Sequence, residues 1–229
     1  MGRHTLEGNP PIEVTLRRSA RAKRLSLRVS RLDGRVTLTL PQRSPEREGI
    51  AFLRGREDWL RGHLSQIAPA CSIAIGGTVP FEGRDLPILP SPTRRARLEA
   101  GQVLVPAGVG AAARVKALLR TAARDKLAAA SDHYADALGK RYTNLSLRDT
   151  RSRWGSCSSK GTLMYSWRLI MAPPRILQYV AAHEVAHLAE MNHSPDFWAV
   201  VERLFPDYDV CRRWLRENGD QLHRVRFDD

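Results

Sequence analysis

The sequence predicts an α+β architecture, in which a mostly β N-terminal portion precedes a helix-rich core with a small sheet. Three observations carry this. Apolar and polar residues alternate along short runs up to about residue 106, broken by glycine and proline. Helical spacing then takes over from about residue 110. Brief strand-like runs return near 145–147 and 162–167, between helical stretches. Pro106-Ala107-Gly108 reads as the boundary, giving an N-terminal region 1–108 with one helix and a core 109–229.

Taken in order, Ile12, Val14 and Leu16 form the first alternating run. Leu25, Leu27 and Val29, then Val36, Leu38 and Leu40, form two more, with Asp33-Gly34 as a hairpin signal between them. The basic stretch Arg17-Arg18-Ser19-Ala20-Arg21-Ala22-Lys23-Arg24 is a loop between the first two runs. Residues 45–68 read as a single helix opened by Pro45 and stopped by Pro69, with Ile50, Leu53, Trp59, Leu60 and Leu64 on its apolar face. Residues 71–106 read as hairpins. A long alanine-rich helix over 110–139 follows, carrying Val115, Leu119, Leu127 and Tyr134 and stopping at Gly139. His133 on that helix reads as structural. Strands at Leu145–Leu147 and Thr162–Trp167 are joined through Arg153–Ser158. Helices beginning at Pro173-Pro174, at Ser194-Pro195 and near residue 208 complete the chain.

Composition narrows the class. The chain has 229 residues, 42% hydrophobic and 27% charged, as in an ordinary globular protein. Neither a signal-peptide core nor a run of about eighteen apolar residues is present, so the expectation is a cytoplasmic protein without a membrane segment. Cys71, Cys157 and Cys211 are odd in number and widely spaced, which fits a reducing compartment and gives no Cys-x-x-Cys site. Cys157 reads as an inert thiol. Lys plus Arg number 37 against 24 Asp plus Glu, a net charge of +13. That field favours anionic partners, nucleic acid or nucleotides among them.

The chemistry concentrates in Ala182-His183-Glu184-Val185-Ala186-His187-Leu188-Ala189-Glu190-Met191-Asn192-His193-Ser194-Pro195. Ile176, Leu177, Val180, Ala181, Val185 and Leu188 recur at helical spacing, so this is a buried helix. Residues four apart lie on one helix face about 6 Å apart along the axis, which lets His183 and His187 address one ion. Glu184, about 100° further round, sits beside that ion and can accept a proton from its water. Unpaired imidazoles and a carboxylate in a buried helix would otherwise be costly. Asn192, tolerant of the left-handed conformation, would reverse the chain and swing His193 back as the third ligand. Ser194 and Pro195 then cap and open the next helix. Glu190 and Glu202 are the competing carboxylate ligands. Three protein ligands with one open position describe a catalytic zinc site, one ion per chain.

These residues resemble a known family. Arg153-Trp154-Gly155-Ser156-Cys157-Ser158, Trp167-Arg168-Leu169-Ile170, Ala172-Pro173-Pro174, His183-Glu184-x-x-His187 and Asn192-His193-Ser194-x-x-Phe197-Trp198 are similar to the YgjP-like (DUF45) zinc metallopeptidases, relatives of the SprT and WLM proteases. Ser166 stands where asparagine is expected. The resemblance is clear over about 145–215 and looser at Arg18–Val29. It implies a zincin-like metallopeptidase core, zinc on His183, His187 and His193, and Glu184 as general base.

The expected activity is peptide-bond hydrolysis of a polypeptide substrate by a zinc-activated water. The substrate is expected along the Thr162–Trp167 strand, with Arg153, Trp154, Tyr165 and Arg168 as candidate contacts; Tyr165 and Tyr179 are candidate oxyanion donors. Arg148, Arg151, Arg153, Lys160, Arg168 and Arg175 crowd the motif, so a zinc-dependent attack on nucleotide phosphoanhydrides is the alternative. A nucleic-acid-binding module with structural zinc is a third reading, against which the intact Glu184 counts. Oligomeric state is not encoded in any pattern here.

Overall fold

The computed structural model describes residues 2–30, 34–65, 71–92, 94–108 and 110–227. It resolves into two compact units, Met1–Ala70 and Cys71–Asp229.

In the first unit, β1 (Gly2–Leu6), β2 (Ile12–Ser19), β3 (Ser26–Val29) and β4 (Val36–Pro41) form one sheet in the order β1-β2-β4-β3. β2 and β4 run parallel, while β1–β2 and β3–β4 are antiparallel. Ile12, Val14 and Leu16 on β2 and Val36, Leu38 and Leu40 on β4 share one buried face with Leu53 and Leu60. Those two leucines come from α1 (Glu46–Arg54) and α2 (Glu57–Ser65), where one helix was expected. The break is at Gly55, whose N–H closes on the Ala51 carbonyl. Strand β1 was not expected, because only Leu6 of its five residues gives an apolar signal. Asp33 and Pro69, the expected turn and stop, lie outside the described residues.

The second unit begins with β5 (Cys71–Ser72), β6 (Thr78–Phe81), β7 (Arg84–Ser91), β8 (Arg97–Glu99) and β9 (Gln102–Pro106). Then come α3 (Ala111–Leu138), β10 (Asn144–Arg148), β11 (Gly155–Cys157), β12 (Thr162–Ser166) and a 3-10 turn (Trp167–Met171). Last are α4 (Pro174–Ala186), α5 (Pro195–Leu204), α6 (Tyr208–Arg224) and β13 (Val225–Arg226). The compact units therefore divide after residue 70, not after 108 as expected. Val79, Ile88, Val103 and Val105 bury their side chains in one core with Val115, Leu119 and Leu127 of α3. The hairpins before α3 need that helix to cover their apolar face.

α3 spans 28 residues and ends where Gly139 adopts φ 66°, its N–H bonded to the Ala135 carbonyl. Alanines 123 and 130 on its buried face admit close neighbours, α4 and the 3-10 turn. Among the described residues no helix is long and apolar enough to cross a membrane.

Arg168 fastens the C-terminal end of this unit. Its Nε and Nη2 donate to the Asp149 carboxylate at 2.6 and 3.2 Å, and Nη1 donates to the Leu222 and Val225 carbonyls at 2.8 and 3.0 Å. The guanidinium also lies 4.9 Å from the Trp167 ring centroid. Burial alone would raise the Asp149 carboxyl; the Arg168 guanidinium outweighs it and holds the group below its ordinary range. Arg168→Met should cost about 2–4 kcal/mol, because it leaves a partly buried carboxylate and two carbonyls without their donor. Urea unfolding measures this, and an unchanged midpoint would reduce Arg168 to a surface cation.

Candidate metal centre and active site

Pro173 and Pro174 open α4, where a missing N–H is tolerated and φ is already helical. From there nearly every residue is buried, which fixes the face that carries His183 and His187. The helix stops at Ala186, earlier than its apolar period suggested. The N–H groups of Ala189 and Glu190 both close onto the Ala186 carbonyl, and the turn brings the Glu190 carbonyl to the His187 ring. His187 Nδ1 donates to it at 2.9 Å, which leaves Nε2 as the nitrogen with a free lone pair.

The corner that follows works differently from the expectation. Asn192 is not left-handed; among the described residues the non-glycine residues at positive φ are Glu82, Ala100 and Asp207. Its side-chain Oδ1 accepts instead from the Ser194 N–H at 3.0 Å, and Ser194 Oγ accepts from the Phe197 N–H at 3.3 Å to cap α5. Asparagine can tighten a turn through its side chain as readily as through backbone φ. The result is as expected: His193 returns to the α4 face.

One ring nitrogen from each of His183, His187 and His193 lies within 4.8 Å of the others. His193 Nε2 and His183 Nε2 are 3.2 Å apart. Two nitrogens at bonding distance of one zinc, about 2.0–2.1 Å, stand about 3.3 Å apart at a tetrahedral angle, so the donor set fits the ion. Burial, then His187 and His193, push His183 down to about 3. Burial likewise lowers His187, against the opposing pull of its bond to Glu190. Both rings are therefore neutral at ordinary pH, as ligands must be. Neither Glu190 nor Glu202 joins this cluster.

Phe197, fully buried, is the floor of the site. Its ring stacks on His187 at 4.4 Å and meets His183 and His193 edge-on at 5.0 and 4.8 Å. Trp198 stacks against His193 at 5.8 Å, and Tyr179 meets His183 edge-on at 5.9 Å. The imidazoles are thus wedged by aromatic rings and cannot turn freely. In the sequence Phe197 and Trp198 stood out only as part of the motif that carries the family resemblance.

Glu184 points to the other side, against β11. Burial pushes its carboxyl up to about 8, with Arg153 pulling the other way. An ideal Cβ built on Gly155 would stand 2.5 Å from Glu184 Oε1 and 2.6 Å from its Cγ. No side chain fits at 155 with Glu184 where it is. Sequence reading missed this role, although a glycine inside a short strand is a recognised sign of close approach.

The small sheet has the order β10-β12-β11, so β12, the expected substrate strand, is central and has no free edge. β10 and β11 are the two edge strands, and β11 is the one that packs on α4. Ser166 N–H donates to the Trp154 carbonyl and Ser158 N–H to the Thr162 carbonyl, at 2.8 and 3.0 Å. By the alternation of an antiparallel ladder, Gly155 and Cys157 then turn their own N–H and C=O to the open side.

Of the four expected substrate contacts, three are otherwise engaged. Tyr165 is fully buried with its hydroxyl 3.0 Å from Ser131 Oγ, so it is a core residue and no oxyanion donor. Trp154 stacks on His223 at 4.9 Å and lies over Gly219. Arg168 is the anchor described above. Strand alternation alone does not say which face is inward, which is why Tyr165 looked available. Arg153 alone remains exposed, with its charge felt by Glu184. The Cys157 thiol is raised to about 11 by burial and by Glu184, which keeps it protonated and inert. His133 is exposed and lies outside the histidine cluster.

A family model described as YgjP-like, metallopeptidase domain, matches residues 23–218. No curated protein matches the chain. Among solved structures, the crystal structure of the metallopeptidase zymogen of Pyrococcus abyssi abylysin is similar at 23% identity and a TM-score of 0.37, over 41% of this chain and 95% of that one.

Proposed function

Because the chain belongs to the YgjP-like metallopeptidase family, we propose that it hydrolyses peptide bonds at the three-histidine site, with His183, His187 and His193 holding zinc and Glu184 acting as general base. The observation that carries this is the pairing of two environments. One ring nitrogen from each of three histidines converges within 4.8 Å, and beside the first of them in sequence stands a buried carboxyl pushed up to about 8. A zinc ion held there would supply Lewis acidity for the scissile carbonyl and for the attacking water.

The chain's own residues do the rest. Glu184, at about 8, is matched to take a proton from water and return it to the leaving amine. A bound dication would draw that value down toward the working pH. The open edge of β11 offers the Gly155 and Cys157 main-chain groups to an extended polypeptide, which would add as a further strand beside α4. Phe197 and Trp198 hold the imidazoles and keep water from the rear of the site.

The phosphoanhydride alternative loses support from the arginines that suggested it. Arg168 is committed to Asp149 and two carbonyls, and Arg175 pairs with Asp207 at 3.1 Å. A structural-zinc reading gives no role to a carboxylate buried beside the histidines.

Metal analysis tests the ligand set. The purified protein should carry about one zinc per chain. His193→Ala should weaken zinc binding more than the roughly 10–100-fold that loss of an outer-shell partner costs. Glu202→Ala should bind as the parent does. Normal zinc retention in His193→Ala would overturn the ligand assignment.

A further inference from the structure

The sheet of the first unit has a second face, turned away from α1 and α2. With Val14, Leu16, Val36 and Leu38 inward, the period of two sends the intervening residues of β2 and β4 outward. Register sets Arg3 opposite Thr15, Thr15 beside Thr37, and Thr37 opposite Arg28. One row across all four strands therefore reads Arg3–Thr15–Thr37–Arg28. A neighbouring row reads Arg17–Thr39–Ser26. Among the described residues Glu13 is the one acidic residue on this face, and no aromatic or aliphatic side chain lies in either row. A cleft of about 1040 Å³ takes in Arg3, Glu13, Thr15, Arg17 and Thr37 of this face together with Pro10, Pro11, Ile12 and Leu64.

Two arginines of this unit are committed to the fold. Arg18 donates to the Gln42 and Ser44 carbonyls, and Arg61 to Glu57 and to the Pro10 and Glu7 carbonyls. They hold the fold together. Arg3, Arg17 and Arg28 are exposed and make no ion pair or hydrogen bond among the described residues. Cations gathered on one face without internal partners are placed for an external anion.

The composition of the rows selects which anion. Arginine forks and threonine hydroxyls are both donors to phosphate oxygens. Without aromatic rings the face cannot stack unpaired bases. The two rows carry no large apolar side chain of the kind that centres a protein interface or inserts into a membrane. Neighbouring strands are about 4.8 Å apart, so the four-strand row spans about 14 Å. That reaches phosphates on both sides of a minor groove about 6 Å wide. We propose that this face docks the phosphate backbone of duplex nucleic acid without reading its sequence. The proposal goes beyond the peptidase reading and does not rest on it.

Fluorescence anisotropy of the full chain with a labelled duplex of arbitrary sequence, at low and moderate salt, tests it. The triple variant Arg3→Gln, Arg17→Gln, Arg28→Gln should bind at least about tenfold more weakly, with its salt slope flattened by about 2.7. A charge-matched triple on the helix side, Arg43→Gln, Arg47→Gln, Arg54→Gln, should stay within about twofold of the parent. Glu13→Gln should tighten binding several-fold, a gain that misfolding cannot imitate. Equal losses in the two triples, or no tightening in Glu13→Gln, would overturn the proposal in favour of diffuse charge. Single strands binding as tightly as the duplex, or displacement by poly-glutamate at matched charge, would also overturn it.

Discussion

Glu184→Gln should lower kcat by about 10²–10⁴-fold while leaving zinc content at the parent level. Glutamine has the shape of the glutamate and fits the same space against Gly155, but it cannot accept the proton. The fold should not suffer, because the native carboxylate is a charge held in a buried place. The sign follows from linkage. Folding raises the Glu184 carboxyl from the ordinary range to about 8, so across that window the folded chain binds more protons than the unfolded one. Stability of the metal-free protein should therefore fall as pH rises from about the ordinary glutamate value through about 8. The glutamine variant should lack that decline. Turnover on an unfolded-protein substrate, zinc content, and unfolding in chelator at several pH values report the three quantities. Parental turnover in Glu184→Gln would remove the residue from the mechanism.

Gly155→Ala should cost about 10²-fold in kcat, with KM and zinc content little changed. The added methyl would stand 2.5 Å from Glu184 Oε1, closer than atoms tolerate, so the carboxylate must move while the three histidines stay. A shift of about 1 Å in a reacting group is enough for a loss of that size. The missing side chain at Gly155 would thus position Glu184, apart from what the main chain there offers the substrate. A structural role predicts something different, and a double variant separates the two. Glu184→Asp shortens the side chain and makes room for the methyl, so Gly155→Ala combined with Glu184→Asp should lose less than the product of the single losses. Strict additivity would mean that the glycine serves the strand and not the base.

The metal helix was legible because its signal is local. His183 and His187 are four residues apart and the apolar residues around them repeat with the helix. The Ser194-Pro195 start of α5 was legible for the same reason, since a cap is a contact between near neighbours. What was misread turns on choices that composition leaves open. Asn192 had two ways to make a corner, and the structure uses its side chain. Pro106-Ala107-Gly108 has the composition of a linker, yet the strands before it lie in the same core as α3. Tyr165 looked accessible because a strand pattern does not say which side is covered, and Arg168 because its carbonyl partners, Leu222 and Val225, are more than fifty residues away in the chain. The approach of Gly155 to Glu184 joins residues far apart in the chain, and a single sequence marks such a contact only by the missing side chain.

The pairing of β5 with β13 reaches past stability. Cys71 lies beside Val225 and Ser72 beside Arg226 in a parallel ladder, with Arg168 fastening the second of these strands. The polypeptide thus enters and leaves the hydrolytic unit at the same place. Adjoining ends are the arrangement that tolerates circular permutation and insertion into another chain. Residues 71–227 have the form of a cassette, able to be carried within other chains or re-threaded with new ends while the histidine site stays intact.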